Sequence, residues 1–243
     1  MNVRVYPNSE LAGRAAAVLI AGEVIEKPNS VLGLATGSTP LPVYGELIRM
    51  YNEGIVDFGR VTTYNLDEYV GLAPSHPCSY RRFMQENLFD HINVRPDRIH
   101  IPNGLAKDVV AECKEYDEAI ADAGRLDIQL LGLGANGHIG FNEPAADFTT
   151  SSYCVKLTEQ TLKDNRRFFE EDAVMPTHAL TMGIASIMQA KRIVLVATGK
   201  NKAQAVKAMV EGNVDPMVPA SILQMHRHAT IILDEEAASL LRK

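Results

Sequence analysis

Short, nearly continuous apolar runs rich in Val, Ile and Leu alternate along this chain with longer segments of helical period. Uninterrupted apolar runs suit strands buried on both faces, whereas alternation would suit a sheet with one wet face. The pattern therefore predicts an α/β fold: a single domain over residues 1–243, with an open, mostly parallel, Rossmann-like sheet and helices on both faces. Strands are expected over residues 30–35, 61–66, 127–133, 192–197 and 229–233, with a weaker one over 2–6. Helices are expected over 9–26, 41–52, 79–89, 109–123, 159–168, 202–211 and 235–241. Between them, residues 134–150 carry Gly, Asn, Pro and Asp too densely for a long helix, which predicts a structured loop.

A formal net charge of -6 argues against a nucleic-acid partner. Cys78, Cys113 and Cys154 are odd in number and widely spaced, so neither a disulfide framework nor a thiolate metal site is expected. The first residues lack the apolar stretch of a signal peptide, and no segment approaches the ~20 apolar residues a membrane helix needs. A cytoplasmic protein that does not engage a membrane is the expectation.

Ligands of open α/β sheets bind beyond the carboxyl ends of the strands, so the residues after each apolar run carry the functional information. Thr36-Gly37-Ser38-Thr39-Pro40 offers an anion cradle, with Gly37 allowing close backbone approach, Ser38 and Thr39 supplying hydroxyls and a helix cap, and Pro40 suiting a first helical position. A plain, well-capped strand-to-helix turn would present the same residues. Lys202 opens another post-strand helix and can reach the same anion, and the Arg166-Arg167 pair offers a further cation. Asp67 and Glu68 follow directly on a strand, so at least one carboxylate is expected at the cleft mouth as a general base, the other reading being a helix cap with a solvated neighbour.

Gly132, Gly134 and Gly137 match the dinucleotide fingerprint in spacing, but Gly140 and Pro144 interrupt the helix that fingerprint requires. What remains is His138 with Asn142 and Glu143 in a glycine-rich turn, a setting in which a carboxylate tunes an imidazole. His226 and His228 have no further ligands to complete a metal set, so no zinc is expected.

Four segments, Leu34-Ala35-Thr36-Gly37-Ser38-Thr39-Pro40, Asn65-Leu66-Asp67-Glu68-Tyr69, Gly137-His138-Ile139-Gly140-Phe141-Asn142-Glu143-Pro144 and Gly199-Lys200-Asn201-Lys202, resemble the glucosamine-6-phosphate deaminases in order and spacing. The resemblance implies conversion of glucosamine 6-phosphate and water to fructose 6-phosphate and ammonia, without cofactor or metal. It implies that His138 opens the sugar ring, that Glu143 holds the imidazole, and that Asp67 takes the proton from the carbon bearing the amine. Phosphate would be held by Thr36, Gly37, Ser38, Thr39, Lys202 and, in Asn165-Arg166-Arg167-Phe168-Phe169, by Arg167. Many members carry aspartate where this chain has Asn136, which can orient but cannot share charge, so a different pH dependence of ring opening is expected. Regulated members carry basic residues after the Glu-Pro pair, and this chain has Ala145-Ala146-Asp147-Phe148, which predicts an unregulated monomer or small homo-oligomer. The competing expectations are a lactonase or isomerase on a related scaffold, discriminated by ammonia release, and a non-catalytic sugar-phosphate sensor, discriminated by binding without turnover.

Overall fold

The computed structural model of the protein describes residues 1–166, 169 and 174–242. In chain order the elements are β1 (Asn2–Tyr6), α1 (Ser9–Glu26), β2 (Val31–Leu34), α2 (Leu41–Asn52), β3 (Thr62–Asn65), β4 (Asp67–Tyr69), α3 (Tyr80–Asn87), β5 (Ile99–His100), α4 (Val109–Asp122), β6 (Ile128–Gly132), β7 (Tyr153–Lys156), α5 (Glu159–Asn165), β8 (His178–Thr181), α6 (Ile184–Met188), β9 (Arg192–Ala197), α7 (Ala203–Glu211) and β10 (Ala229–Asp234). Seven strands form one sheet in the order β1-β10-β9-β6-β2-β3-β5, every pair parallel. Consecutive residues of β2 and of β6 are buried whichever way they point, so both faces of the sheet are covered. Leu130 and Leu131, neighbours on opposite faces of β6, are both sealed from water. Each contributes roughly 1.5–3 kcal/mol by burial, and truncating either to Ala would cost ~2–5 kcal/mol because the packed interior cannot close the hole.

From β2 the chain builds outward to β3 and β5, then returns to β6 on the other side of β2 and proceeds to β9 and β10. The direction of winding thus reverses between β2 and β6, and the two connections diverging there leave a crevice beyond their carboxyl ends. The loops after β2 and β6 are the anion-cradle candidate and the glycine-rich turn.

At the opposite, amino-terminal edge, the buried Asp127 carboxylate accepts hydrogen bonds from Lys27 Nζ at 2.7 and 2.8 Å, Lys191 Nζ at 2.7 Å and the Val31 backbone amide at 2.8 Å. This cluster ties the starts of β2 and β6 to the ends of α1 and α6. Burial pushes the Asp127 carboxyl up, but its two lysines and the amide more than offset this and hold it below its usual range.

Several sequence expectations need correction. Residues 235–241 form successive turns and no helix: the Asp234 side chain accepts from the Ala237 amide at 2.8 Å, and a seven-residue stretch does not sustain its own nucleus. Asp67-Glu68-Tyr69 is a strand and not a loop; β4 pairs antiparallel with β8, which pairs antiparallel with β7. This second sheet covers an apolar cluster of its own: Tyr69, Leu72, Phe141, Leu157, Phe169 and Ala179. The expected helix over 79–89 starts after Ser79, which caps it by accepting from the Arg82 amide, and ends at Asn87 in a further single turn. Among the described residues no helix is long and apolar enough to cross a membrane.

Candidate active site

A cleft of about 320 Å³ opens at the switch point, lined by Thr36, Gly37, Ser38 and Thr39 after β2, Asp67 and Tyr69 on β4, Gly134, Ala135 and His138 after β6, and Lys202 after β9. The sequence places these groups up to 166 positions apart, from Thr36 to Lys202. Parallel strands deliver all four connections to one rim.

The loop after β2 turns on Gly37, whose φ of +100° side chains rarely tolerate. The expected hydroxyl cap on α2 is absent: Pro40 occupies the N-cap position and no side chain bonds the first turn. Ser38 and Thr39 therefore keep their hydroxyls for a ligand, while of the first helical amides Leu41 donates to the Ser38 carbonyl at 3.4 Å and Pro42 has none. Across the cleft, Gly199 (φ +88°) turns the chain after β9, held by the Asp234 carboxylate, which accepts from the Gly199 amide at 2.9 and 3.0 Å. That turn leads into the short helical turn bearing Lys202.

Asp67 and Glu68 are adjacent on a strand and point to opposite sides, which gives them opposite roles. Glu68 accepts from the backbone amides of Tyr69, Tyr80 and Arg81 at 2.8 to 2.9 Å and so holds the start of α3. Asp67 is 6 % exposed, lines the cleft and has no side-chain hydrogen-bond partner among the described residues. Burial, reinforced by the neighbouring Glu68, pushes its carboxyl up to about 8. Such a group binds and releases protons near neutrality.

His138 lies over Gly134: a Cβ at Gly134 would overlap the imidazole ring. The Nδ1 atom is 3.4 Å from Glu143 Oε2, close enough to pair electrostatically but without a formed hydrogen bond. Glu143 does not itself line the cleft; it sits behind the histidine. Asn136 Nδ2 donates to Glu143 Oε2 at 2.7 Å, Thr161 donates to Oε1, and Asn136 Oδ1 accepts from the His138 amide at 3.2 Å. Burial raises the Glu143 carboxyl, but the His138 ring, Thr161 and Asn136 outweigh it and bring it down to about 2. Asn142, noted beside them, is structural: its Nδ2 donates to the carbonyls of Ile139 and Met182 at 2.9 and 2.8 Å, anchoring the loop to the end of β8. Arg167 lies outside the described residues.

The sequence reading missed the cleft wall made by Tyr69, Tyr80, Phe141, Thr161, Asn165 and Phe169. Two signals were available in principle. Tyr69 follows Asp67 by two positions, the same side of a strand, and Thr161 and Asn165 stand four apart, the same face of a helix.

Fold and cleft together define a parallel α/β protein with a small crevice at its switch point, containing a buried carboxylate without a side-chain partner among the described residues and a carboxylate-backed histidine. The chain belongs to the glucosamine-6-phosphate isomerase and 6-phosphogluconolactonase family, whose model matches residues 8–232. It is 52% identical over 241 residues to a glucosamine-6-phosphate deaminase of Alkaliphilus oremlandii, covering 99% of this chain and 100% of that one. A glucosamine-6-phosphate deaminase of Clostridium perfringens is 50% identical over 242 residues, covering 100% of both. Among solved structures, a monomeric glucosamine-6-phosphate deaminase superposes with a TM-score of 0.96 at 46% identity, covering 99% of this chain and 100% of that one. A 6-phosphogluconolactonase from Trypanosoma brucei shares the fold, with a TM-score of 0.72 at 20% identity over 99% of this chain and 98% of that one.

Proposed function

We propose that this chain is an enzyme converting glucosamine 6-phosphate and water to fructose 6-phosphate and ammonia, the activity its half-identical, full-length relatives are named for. The observation that carries the mechanism is the shared cleft: Asp67, His138, the loop 36–39 and Lys202 border one space of sugar-phosphate size.

In this reading the phosphate is bound by the amides and hydroxyls of residues 36–39 and by Lys202, with Arg167 as a further cation. His138 takes the proton of the anomeric hydroxyl and returns one to the ring oxygen, opening the sugar; Glu143 steadies the cationic imidazole that forms between the two transfers. The substrate amine, arriving as an ammonium beside Asp67, favours the charged carboxylate. Asp67 then removes the proton from the second carbon while the ammonium gives up one of its protons to the carbonyl oxygen, forming an enolamine, and Asp67 delivers its proton to the first carbon to leave the protonated imine. The resulting imine adds water, and its carbon–nitrogen bond breaks to give the ketose and ammonia. Asp67 suits this step because a carboxyl raised to about 8 is a stronger base than an ordinary carboxylate and remains ionisable near neutral pH.

The reading includes a cytoplasmic, unregulated monomer acting as one catalytic domain without cofactor or metal. A structural neighbour described as monomeric supports the oligomeric state, and the residues Ala145-Ala146-Asp147-Phe148 support the lack of an effector site. The test is incubation of the purified protein with glucosamine 6-phosphate and a chelator, following ammonia and fructose 6-phosphate. Equal amounts of the two products are expected. Neither product, with hydrolysis of a phosphorylated sugar lactone or with binding alone, would overturn the reading.

A further inference from the structure

The first turn of α5 departs from the usual way a helix start satisfies itself. Thr158 is the N-cap, and its Oγ1 accepts from the Thr161 amide at 3.2 Å. In the common reciprocal arrangement a long Glu or Gln three residues after the cap reaches back to the amide of the cap. Here that place is held by Thr161, whose hydroxyl is turned out of the helix: it donates to Glu143 Oε1, while Thr158 Oγ1 donates to Thr161 Oγ1 at 3.0 Å. A hydroxyl has one proton to give, so an oxygen that accepts from Thr158 has its own proton directed at the carboxylate. Thr161 is 4 % exposed and lines the cleft.

Two separate elements therefore hold Glu143. Asn136 Nδ2 takes Oε2 from within the loop that carries His138, and Thr161 takes Oε1 from α5. Asn136 is also bonded to the His138 amide and moves with that loop, so Thr161 is the donor that fixes the carboxylate from outside it. The consequence falls on the imidazole. Its Nδ1 is sealed from water 3.4 Å from Glu143 Oε2, and His138 borders the cleft whereas Glu143 does not, so Nε2 is the ring nitrogen that meets a substrate. In a neutral imidazole the partner of one nitrogen decides which of the two holds the proton. A carboxylate opposite Nδ1 keeps the proton there and leaves the Nε2 lone pair bare to accept one.

We propose that Thr161 is a positioning residue for ring opening: by fixing Glu143 Oε1 it holds Oε2 toward His138 Nδ1, keeps the neutral ring protonated on Nδ1, and so leaves Nε2 free to take the anomeric proton. The proposal rests on the ring-opening role of His138, and it concerns neither phosphate binding nor the transfer by Asp67.

The test uses Thr161→Val, which removes the hydroxyl at nearly constant shape, and Thr161→Ser, which keeps it. The tautomer is read by 15N NMR of histidine-labelled protein at a pH where the rings are neutral, the His138 signals being those absent from His138→Gln; kcat and KM are measured by ammonia release. In the wild type a protonated Nδ1 and a bare Nε2 are expected. In Thr161→Val the two shifts should move toward each other as the Nε2-protonated form becomes populated, with kcat lower by about three- to five-fold and KM within about two-fold. Thr161→Ser should match the wild-type tautomer and recover kcat to within about two-fold. A wild-type ring protonated on Nε2, an unshifted tautomer or an unchanged kcat in Thr161→Val, or a Thr161→Ser as slow as Thr161→Val would overturn the proposal. Should Thr161→Val fail to fold, Thr161→Ala is read in its place. If the wild type releases no ammonia while the tautomer shifts in Thr161→Val and not in Thr161→Ser, the deaminase reading falls and the hold on His138 stands; ammonia release with an unshifted tautomer gives the reverse.

Discussion

Two buried aspartates stand beyond opposite edges of the seven-stranded sheet, Asp127 just before β6 and Asp67 just after β3, and behave in opposite ways. Asp127, at the amino edge, is surrounded by Lys27, Lys191 and the Val31 amide, and its carboxyl is held below the usual range. Asp67, at the carboxyl edge, has no such partner among the described residues and is raised to about 8. Burial is shared, so the difference lies in the partners: a buried charge that is satisfied pins structure, and one left unsatisfied is available for chemistry. The amino edge is thus built for stability and the carboxyl edge for function.

The largest expected effect separates the two directly. Asp67→Asn should lower turnover by about 10² to 10⁴ with a much smaller change in KM, whereas Asp127→Asn should leave kcat within about two-fold, both measured by ammonia release. Comparable losses in the two variants would dissolve the contrast. Next comes pH. A free-enzyme base raised to about 8 predicts that kcat/KM of the wild type climbs about tenfold per pH unit toward pH 8 and levels off above it. A flat profile between pH 5 and 8 would remove Asp67 from the role of base.

Stability should respond with opposite signs. The Asp127 carboxyl is depressed, so its contribution is present above its unfolded value near ~4 and lost as pH falls through its folded value. Asp127→Asn, leaving two lysines with half-exposed stems unpaired, should cost about 1–3 kcal/mol at pH 7 by denaturant unfolding, and less near pH 3. The Asp67 carboxyl is raised, so its contribution is full below about pH 4 and lost as pH rises through about 8. Asp67→Asn should therefore raise the unfolding midpoint at pH 9 and leave it nearly unchanged at pH 4. The smallest effect concerns an intermediate case, Glu143, which stands at the functional edge but is well partnered and lowered to about 2. Thr161→Val removes one of its donors and should cost about 0.5–1.5 kcal/mol of stability and a few-fold in turnover.

The parallel sheet was legible because strands such as 192–197 are apolar at nearly every position, and that pattern has one comfortable environment. The small sheet was not. Asp67-Glu68-Tyr69 carries two charges and an aromatic, and His178-Ala179-Leu180-Thr181 has no distinctive period, so neither segment announces a strand. They pair because β3, ending at Asn65 two residues before Asp67, delivers β4 beside β8.

By itself the sequence determined the layered architecture, the edge at which a ligand would bind, and the residue types gathered there, since periodicity and loop chemistry are local properties. Only the tertiary structure decided which of two adjacent carboxylates faces the cleft, that no side chain caps α2, and that Glu143 sits behind His138. Each depends on groups distant in the chain and close in space, and burial, with the partners it brings or withholds, sets the charge a side chain carries.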